Sequence, residues 1–149
     1  MQKLRENPFT VEALVELLRQ DGLRITKGRL GILKGLFLAQ TPLSLQEIQE
    51  EARNQSGVKP DYATVFRTVS LMEKLDLVHK VNLQRSCSYF ELNDPRKHYD
   101  HLVCRKCGRV VLLDTPCPLK DAQRDLEKRY GFRELSHSLE FFGVCPACI

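Results

Sequence analysis

Two Cys-x-x-Cys pairs, Cys104/Cys107 and Cys145/Cys148, carry the residue types and spacing that most directly imply chemistry. Two residues between thiolates let both sulfurs of a tight knuckle reach one ion at about 2.3 Å, and a second knuckle completes a tetrahedral four-cysteine set. That is a structural zinc (Zn2+) site, closed to substrate. A redox dithiol is the rival for Cys145-Pro146-Ala147-Cys148, but such a motif needs a helix after its first cysteine to lower the thiol pKa. Only Ile149 follows Cys148. Disulfides are the other alternative. Met1 to Gln20 alternates charged and apolar residues without the continuous apolar run of a secretory signal, so a reducing, cytoplasmic setting is expected.

The elements that must position these cysteines follow from periodicity. The 149 residues are 42% hydrophobic and 28% charged, enough for one core or two small ones. No stretch is long enough to span a membrane. Net charge is +4, a mild bias toward polyanions that excludes a strongly basic tail. Residues 1–92 carry 13 basic and 11 acidic side chains, and residues 93–149 carry 10 and 8, so the charge is evenly divided.

Asn7-Pro8 offers a cap for a first helix in which Val11, Leu14, Val15 and Leu18 recur until Gly22. Thr26 caps a second, striped by Leu30, Leu33, Leu36 and Phe37 and ending near Thr41-Pro42. Ser44 and Glu47 form a capping box for a third helix running to about Arg53, with a polar loop from 54 to 60. Asp61 caps a fourth, with Val65, Val69, Met72 and Leu75 inward and Tyr62, Arg67 and Lys74 toward solvent. Residues 77–81 and 88–92 read as a hairpin. Helices followed by a hairpin predict a winged helix over 1–92, and Asn93-Asp94-Pro95 marks a hinge.

Beyond the hinge, residues 93–149 predict a small α/β domain. Strands are expected at 101–103, 110–113, 132–135 and 139–142. Between them lies a helix from Pro118 to Gly131, with Leu119, Ala122, Leu126 and Tyr130 on one face. The 37 residues between Cys107 and Cys145 make room for that helix. The fold class is therefore α+β, with zinc pinning the last strand to the first.

Several segments together resemble the ferric uptake regulator family of metal-responsive bacterial repressors. They are Gly22 to Arg29, Ala63-Thr64-Val65-Phe66-Arg67, the run from His98 to Gly108, His137-Ser138-Leu139 and Gly143-Val144-Cys145. The resemblance implies a winged-helix DNA-binding domain, a C-terminal dimerisation domain and a divalent metal acting as corepressor. The expected partners are a palindromic double-stranded operator and a second copy of the chain, with no membrane. The chain departs from the family pattern in three places: Thr41-Pro42 where a histidine usually precedes the third helix, Phe66 for a tyrosine, and Tyr99 for a histidine.

In the recognition helix, Arg67 offers a fork to guanine, Thr64 a methyl and hydroxyl to thymine, and Phe66 a face for a thymine methyl, with Tyr62 beside them. Lys27, Arg29 and the wing residue Arg85 are candidates for phosphate or minor-groove contacts. The bland reading of each cation is a solvated basic face. For the sensor, the resemblance places Glu91 and His101 in a hinge site and His98, Asp100 and His137 in a neighbouring one. The resemblance also offers His79, which matches a histidine of zinc-sensing relatives, as a replacement for the missing ligand before the third helix; the alternative is a surface or packed histidine. Mixed imidazole and carboxylate ligation suits Fe2+, Zn2+, Mn2+ or Ni2+ and does not choose among them. The carboxylate expected from the C-terminal helix is in doubt, with Lys120 at its place and Asp121 adjacent. Cys117 and Cys87 read as small apolar fillers, although Cys87 can bias the hinge site toward zinc.

Two further readings remain. In a peroxide sensor of the same family, bound iron oxidises a ligand histidine. A metalloenzyme would use an open metal at His98, Asp100 and His101, but no His-Glu-x-x-His helix, nucleophile elbow or placed general base accompanies them. The chain is accordingly not expected to be an enzyme.

Overall fold

The computed structural model describes residues 9–94, 99–113 and 115–149. They divide into two compact units, Met1–Lys97 and His98–Ile149.

The first unit opens with three helices, α1 (Val11–Gln20), α2 (Lys27–Leu38) and α3 (Leu45–Ser56). A two-residue strand, β1 (Leu43–Ser44), precedes α3, and α4 (Tyr62–Lys74) follows it. The cap of α1 is Thr10, whose hydroxyl accepts from Ala13 N–H at 3.2 Å. The expected Asn7-Pro8 start lies outside the described residues. Thr26, Ser44 and Asp61 cap α2, α3 and α4 as their side chains allow, and Ser44 with Glu47 closes the capping box. Helix α3 runs a turn beyond Arg53 because Gly57, in the left-handed region at φ 72, supplies its C-terminal stop. Helix α2 ends at Leu38, short of Thr41-Pro42.

The inward face of α2 differs from the expected leucine stripe. Phe37 is exposed, whereas Gly28, Gly31, Ile32, Leu33, Gly35 and Leu36 are buried. Three glycines at helical spacing let α3 and Pro60 pack against the α2 backbone. The core built on this contact joins Leu14, Leu18, Ile32, Leu33, Ile48, Val65, Val69 and Met72.

A three-stranded antiparallel sheet in the order β1-β3-β2 closes the unit, with β2 at Val78–Val81 and β3 at Tyr89–Leu92. Strand β1 escapes periodicity reasoning because two residues carry no alternation. The expected hinge begins later than Asn93. Its N–H donates to Leu77 O at 2.9 Å, and its side-chain amide donates to Asp76 Oδ1 at 3.0 Å, so Asn93 belongs to the base of the hairpin.

The second unit holds β4 (Asp100–Cys104), β5 (Val110–Leu112), α5 (Lys120–Tyr130) and β6 (Leu139–Gly143), then a single 3-10 turn at Pro146–Cys148. The sheet order is β5-β4-β6, with β4 antiparallel to β5 and parallel to β6. The strand expected at 132–135 is irregular chain. Leu135 is instead held by α5: Gln123 Nε2 donates to Leu135 O at 2.5 Å, and Leu135 N–H donates to Glu127 Oε1 at 3.3 Å. Gln123 and Glu127, one turn apart, are therefore half-buried, and the apolar stripe of Ala122, Leu126 and Tyr130 is exposed. Among the described residues of this unit, Val103 and Cys104 are the only fully buried hydrophobic side chains.

Candidate metal centre and nucleic-acid interface

Strand register explains how cysteines 37 residues apart meet. Parallel pairing of β4 with β6 sets Cys104 opposite Gly143, so the knuckle leaving β4 and the one following β6 lie at the same end of the sheet. The first knuckle turns back through Gly108, at φ 76, whose N–H donates to Cys104 O at 2.9 Å. Arg105 N–H donates to Gly143 O at 2.8 Å across the strands, and Cys148 N–H donates to Cys145 O at 2.8 Å within the second knuckle. Lys106 Nζ donates to Cys148 O at 2.8 Å and ties the two knuckles together.

The sulfurs of Cys104, Cys107, Cys145 and Cys148 all lie within 4.8 Å of one another. Cys107 Sγ and Cys145 Sγ are 3.7 Å apart. Four sulfurs at about 2.3 Å from a tetrahedral centre stand about 3.8 Å apart, so the cluster has the dimensions of a zinc cage. The electrostatics agree. Backbone N–H groups of Cys107 and then Cys145 draw the Cys104 thiol down to about 5. The neighbouring sulfurs of Cys145 and Cys107, followed by burial, push Cys148 up to about 12. Four thiolates cannot share this volume without a cation, and a divalent ion relieves the repulsion. The donors therefore fit zinc.

The candidate sensor residues fall into three groups. His79 and Glu91 face each other across β2 and β3, with His79 Nε2 2.9 Å from Glu91 Oε1 and the carboxylate buried. Asp100 and His101, at the start of β4, are also buried, at 2% and 1% exposure. His137, just before β6, places Nε2 3.1 Å from Cys117 Sγ and Nδ1 2.7 Å from Gln123 Oε1. His98 lies outside the described residues. The Cys117 contact was invisible in sequence, because 19 residues and a helix separate the partners. The only signal was a cysteine shortly before a helix. Cys87, in the turn between β2 and β3, is exposed.

On α4 the buried residues Val65, Thr68, Val69 and Met72 leave the opposite face to Tyr62, Phe66 and Arg67. Tyr62 and Phe66, one turn apart, are 51% and 55% exposed, an arrangement no interior of the same unit requires. The Thr64 hydroxyl is committed to the cap, donating to Asp61 Oδ2 at 2.9 Å, so its methyl is what remains for a partner. Lys27 is exposed at the first turn of α2. Arg29 Nη1 donates to Arg24 O at 2.7 Å, which braces the loop before that helix. Arg85 on the wing lies over the Tyr89 ring at 5.0 Å and donates to its hydroxyl at 2.9 Å.

A winged helix with an outward recognition face and a second unit built round four thiols define a metal-binding, DNA-binding regulator as the class. Comparison with known proteins agrees. The model of the Ferric uptake regulator family matches residues 20–142. The Ferric uptake regulation protein of Legionella pneumophila is 34% identical over 131 residues, covering 88% of this chain and 95% of that protein. The Vibrio cholerae ferric uptake regulator crystal structure superposes with a TM-score of 0.69 at 28% identity, covering 87% and 98% of the two chains. The Pseudomonas aeruginosa ferric uptake regulator with manganese gives 0.70 at 26% identity, covering 88% and 96%. The chain belongs to the ferric uptake regulator family. It is a metal-responsive transcription regulator that acts as a dimer on DNA. No helix among the described residues is long and apolar enough to cross a membrane.

Proposed function

We propose that this regulator represses transcription when a divalent ion occupies its sensor residues, with α4 reading the major groove of a palindromic operator. The observation that carries the reading is the outward row of Tyr62, Phe66 and Arg67 on α4, backed by buried Val65, Val69 and Met72. Arg67 would fork onto a guanine edge, and Phe66 and the Thr64 methyl would meet thymine methyls. Lys27, Arg29 and Arg85 would neutralise phosphates and set salt-dependent affinity. Arg85 is favoured for this because its stacking on Tyr89 restricts the side chain before binding.

The division of labour is that residues 1–92 read DNA, and residues 93–149 hold structural zinc, dimerise and take part in sensing. The second unit has too little core to stand alone, and its exposed Leu102, Val111, Leu126, Tyr130 and Phe141 are suited to burial against a second copy. His79, Glu91, His98, Asp100, His101 and His137 would hold the regulatory ion, Fe2+ or Zn2+ first and Mn2+ or Ni2+ by the same ligand chemistry. When bound, the ion supplies a positive charge for its carboxylate and imidazole ligands to share. His79 Nε2 and Glu91 Oε1 already stand 2.9 Å apart on the hairpin, so these two ligand atoms need little reorganisation. The coupling to DNA is the differential affinity of the ion for the operator-competent arrangement.

Each divalent ion, titrated into protein carrying only its structural zinc, should raise operator affinity for at least one metal. Affinity unchanged by every ion would leave a constitutive DNA binder and end the corepressor reading.

A further inference from the structure

The Cys117–His137 contact has a donor pattern that a packing contact does not need. Gln123 Nε2 donates to Leu135 O at 2.5 Å, which orients the amide so that Oε1 faces His137. That oxygen, 2.7 Å from Nδ1, accepts the ring N–H. The imidazole proton is thereby placed on Nδ1, and the Nε2 lone pair points at Cys117 Sγ, 3.1 Å away. Fixing one ring nitrogen by a hydrogen bond so that the other presents its lone pair is how proteins orient metal-binding histidines. Leu119 N–H donates to the same sulfur at 3.3 Å, support that suits a thiolate as well as a thiol.

We propose that Cys117 and His137 are ligands of one metal site in the second unit, a thiolate–imidazole site that takes Zn2+ or another thiophilic divalent ion. The proposal rests on the reading of His137 as a regulatory-metal ligand and changes the character of that site, because sulfur enters where Lys120 and Asp121 left the carboxylate in doubt. With bonds of about 2.3 Å to sulfur and 2.0–2.1 Å to nitrogen, a tetrahedral ion holds S and N about 3.6 Å apart. The pair must open by about half an ångström from its 3.1 Å hydrogen bond. Cys117 precedes α5 in irregular chain and is half-buried, so its backbone can give that distance. Binding breaks the S–H bond: the proton leaves to water, and the sulfur pair goes to the metal. The pairing of β4 with β6 sets Asp100 opposite Leu139, two residues beyond His137, and so brings a carboxylate to the same end of the sheet. Soft sulfur favours Zn2+ over Mn2+ and Fe2+, so the site discriminates among ions that an all-histidine and carboxylate set accepts together.

The test uses the full chain with zinc retained in the four-cysteine cluster and Co2+ as probe. Wild type should bind Co2+ with a thiolate-to-cobalt charge-transfer band, while total zinc stays at one per chain. Cys117→Ser should lose the band, Cys87→Ser should keep it, and Gln123→Met should keep it with affinity weakened about 10- to 100-fold. Independently of any variant, Zn2+ should protect Cys117 from alkylation in wild type, mapped by mass spectrometry. No band at saturation, a band undiminished in Cys117→Ser, or alkylation of Cys117 unaffected by Zn2+ overturns the proposal. Operator affinity measured on the same samples separates the two readings. Metal-stimulated DNA binding without a sulfur band defeats only the Cys117 site, whereas a sulfur band without any metal effect on DNA binding defeats the corepressor reading.

Discussion

Replacing Gly31 by Ala adds one methyl where α2 and α3 meet, and its cost can be built from the contact. A Cβ on Gly31 falls 2.4 Å from Ala52 O, 2.7 Å from Ser56 Oγ and 3.0 Å from Ser56 Cβ, against ordinary contacts of 3.4 Å or more. Backbone oxygen cannot swing aside as a side chain does, so the two helices must separate by about 1 Å. Overpacking of this kind costs about 1–3 kcal/mol. The methyl also intrudes on the Ser56 hydroxyl, which donates to Ala52 O at 2.7 Å, and losing that bond costs about 1 kcal/mol. Alanine's better helix propensity returns about 1 kcal/mol. The net expectation is a loss of about 1–3 kcal/mol, read as a fall in melting temperature of about 4–8 °C per kcal/mol for a domain of this size. Gly35→Ala, whose Cβ would stand 2.9 Å from the Glu51 side chain, should cost less. Gly28→Ala, 3.2 Å from Pro60 Cβ, should cost least. Urea and thermal unfolding of the three variants, with structural zinc retained, check the order. A Gly31→Ala protein within about 0.5 kcal/mol of wild type, or a reversed order, would refute the close α2–α3 packing.

Arg67→Ala should weaken specific operator binding by about 1–3 kcal/mol and relax base preference, whereas Arg85→Ala should lower the salt slope by about 1. Quantitative binding to operator and scrambled duplexes at several salt concentrations distinguishes them, and an Arg67→Ala protein that discriminates as well as wild type would contradict the α4 interface. Stripping the structural zinc removes the organising contact of the second unit. The dimer should then dissociate while the α1–α4 core keeps its helical signal, and light scattering that still reports a dimer in zinc-free protein argues against this. Without metal, stability should also depend on Cys104. Its folded thiol is held at about 5 against 9.0 ordinarily, so its contribution is full above pH 9 and is lost as pH falls through about 5. Wild type minus Cys104→Ser stability, measured from pH 9 to 5, should shrink on acidification, and a flat difference would contradict the backbone hydrogen bonds as cause. His79→Gln should weaken metal-stimulated operator binding without altering binding in the absence of regulatory metal.

How much of this was legible in sequence depended on whether the cause was local. The caps at Thr26, Ser44 and Asp61 were legible because an oxygen three residues before an amide is a local relation. The zinc cysteines were legible because the knuckle spacing is itself the chemistry. The glycine face of α2 was not, since apolar counting scores leucine and phenylalanine and passes over Gly28, Gly31 and Gly35, where close helix approach is decided. Nor was the orientation of α5 legible: its apolar stripe implied the inward face, but the described unit turns Gln123 and Glu127 inward to hold Leu135. Cys117 failed for the same reason. Its meaning comes from a histidine brought back by a loop, and no periodicity records that.

The contrast between the two units explains why metal governs one more than the other. The first buries a continuous set of leucines, valines and isoleucines, and at about 25 cal/mol per Å² of buried apolar surface such a core stabilises itself. The second buries only Val103 and Cys104 among its described hydrophobic residues, and leaves Leu126, Tyr130, Phe132 and Phe141 open. A unit so poor in core depends on staples and partners. Zinc bound by four thiolates supplies one, since structural sites of this kind contribute about 10–16 kcal/mol to small metal-dependent domains. A second copy across the exposed apolar face would supply the other. Folding, dimerisation and metal occupancy of this unit would then be linked equilibria, and an ion that added ligand bonds near β4 and β6 would act on an assembly already balanced on metal. The first unit has an apolar core of its own and does not need metal to fold, so an ion held at His79 and Glu91 would act on a hairpin that is already formed.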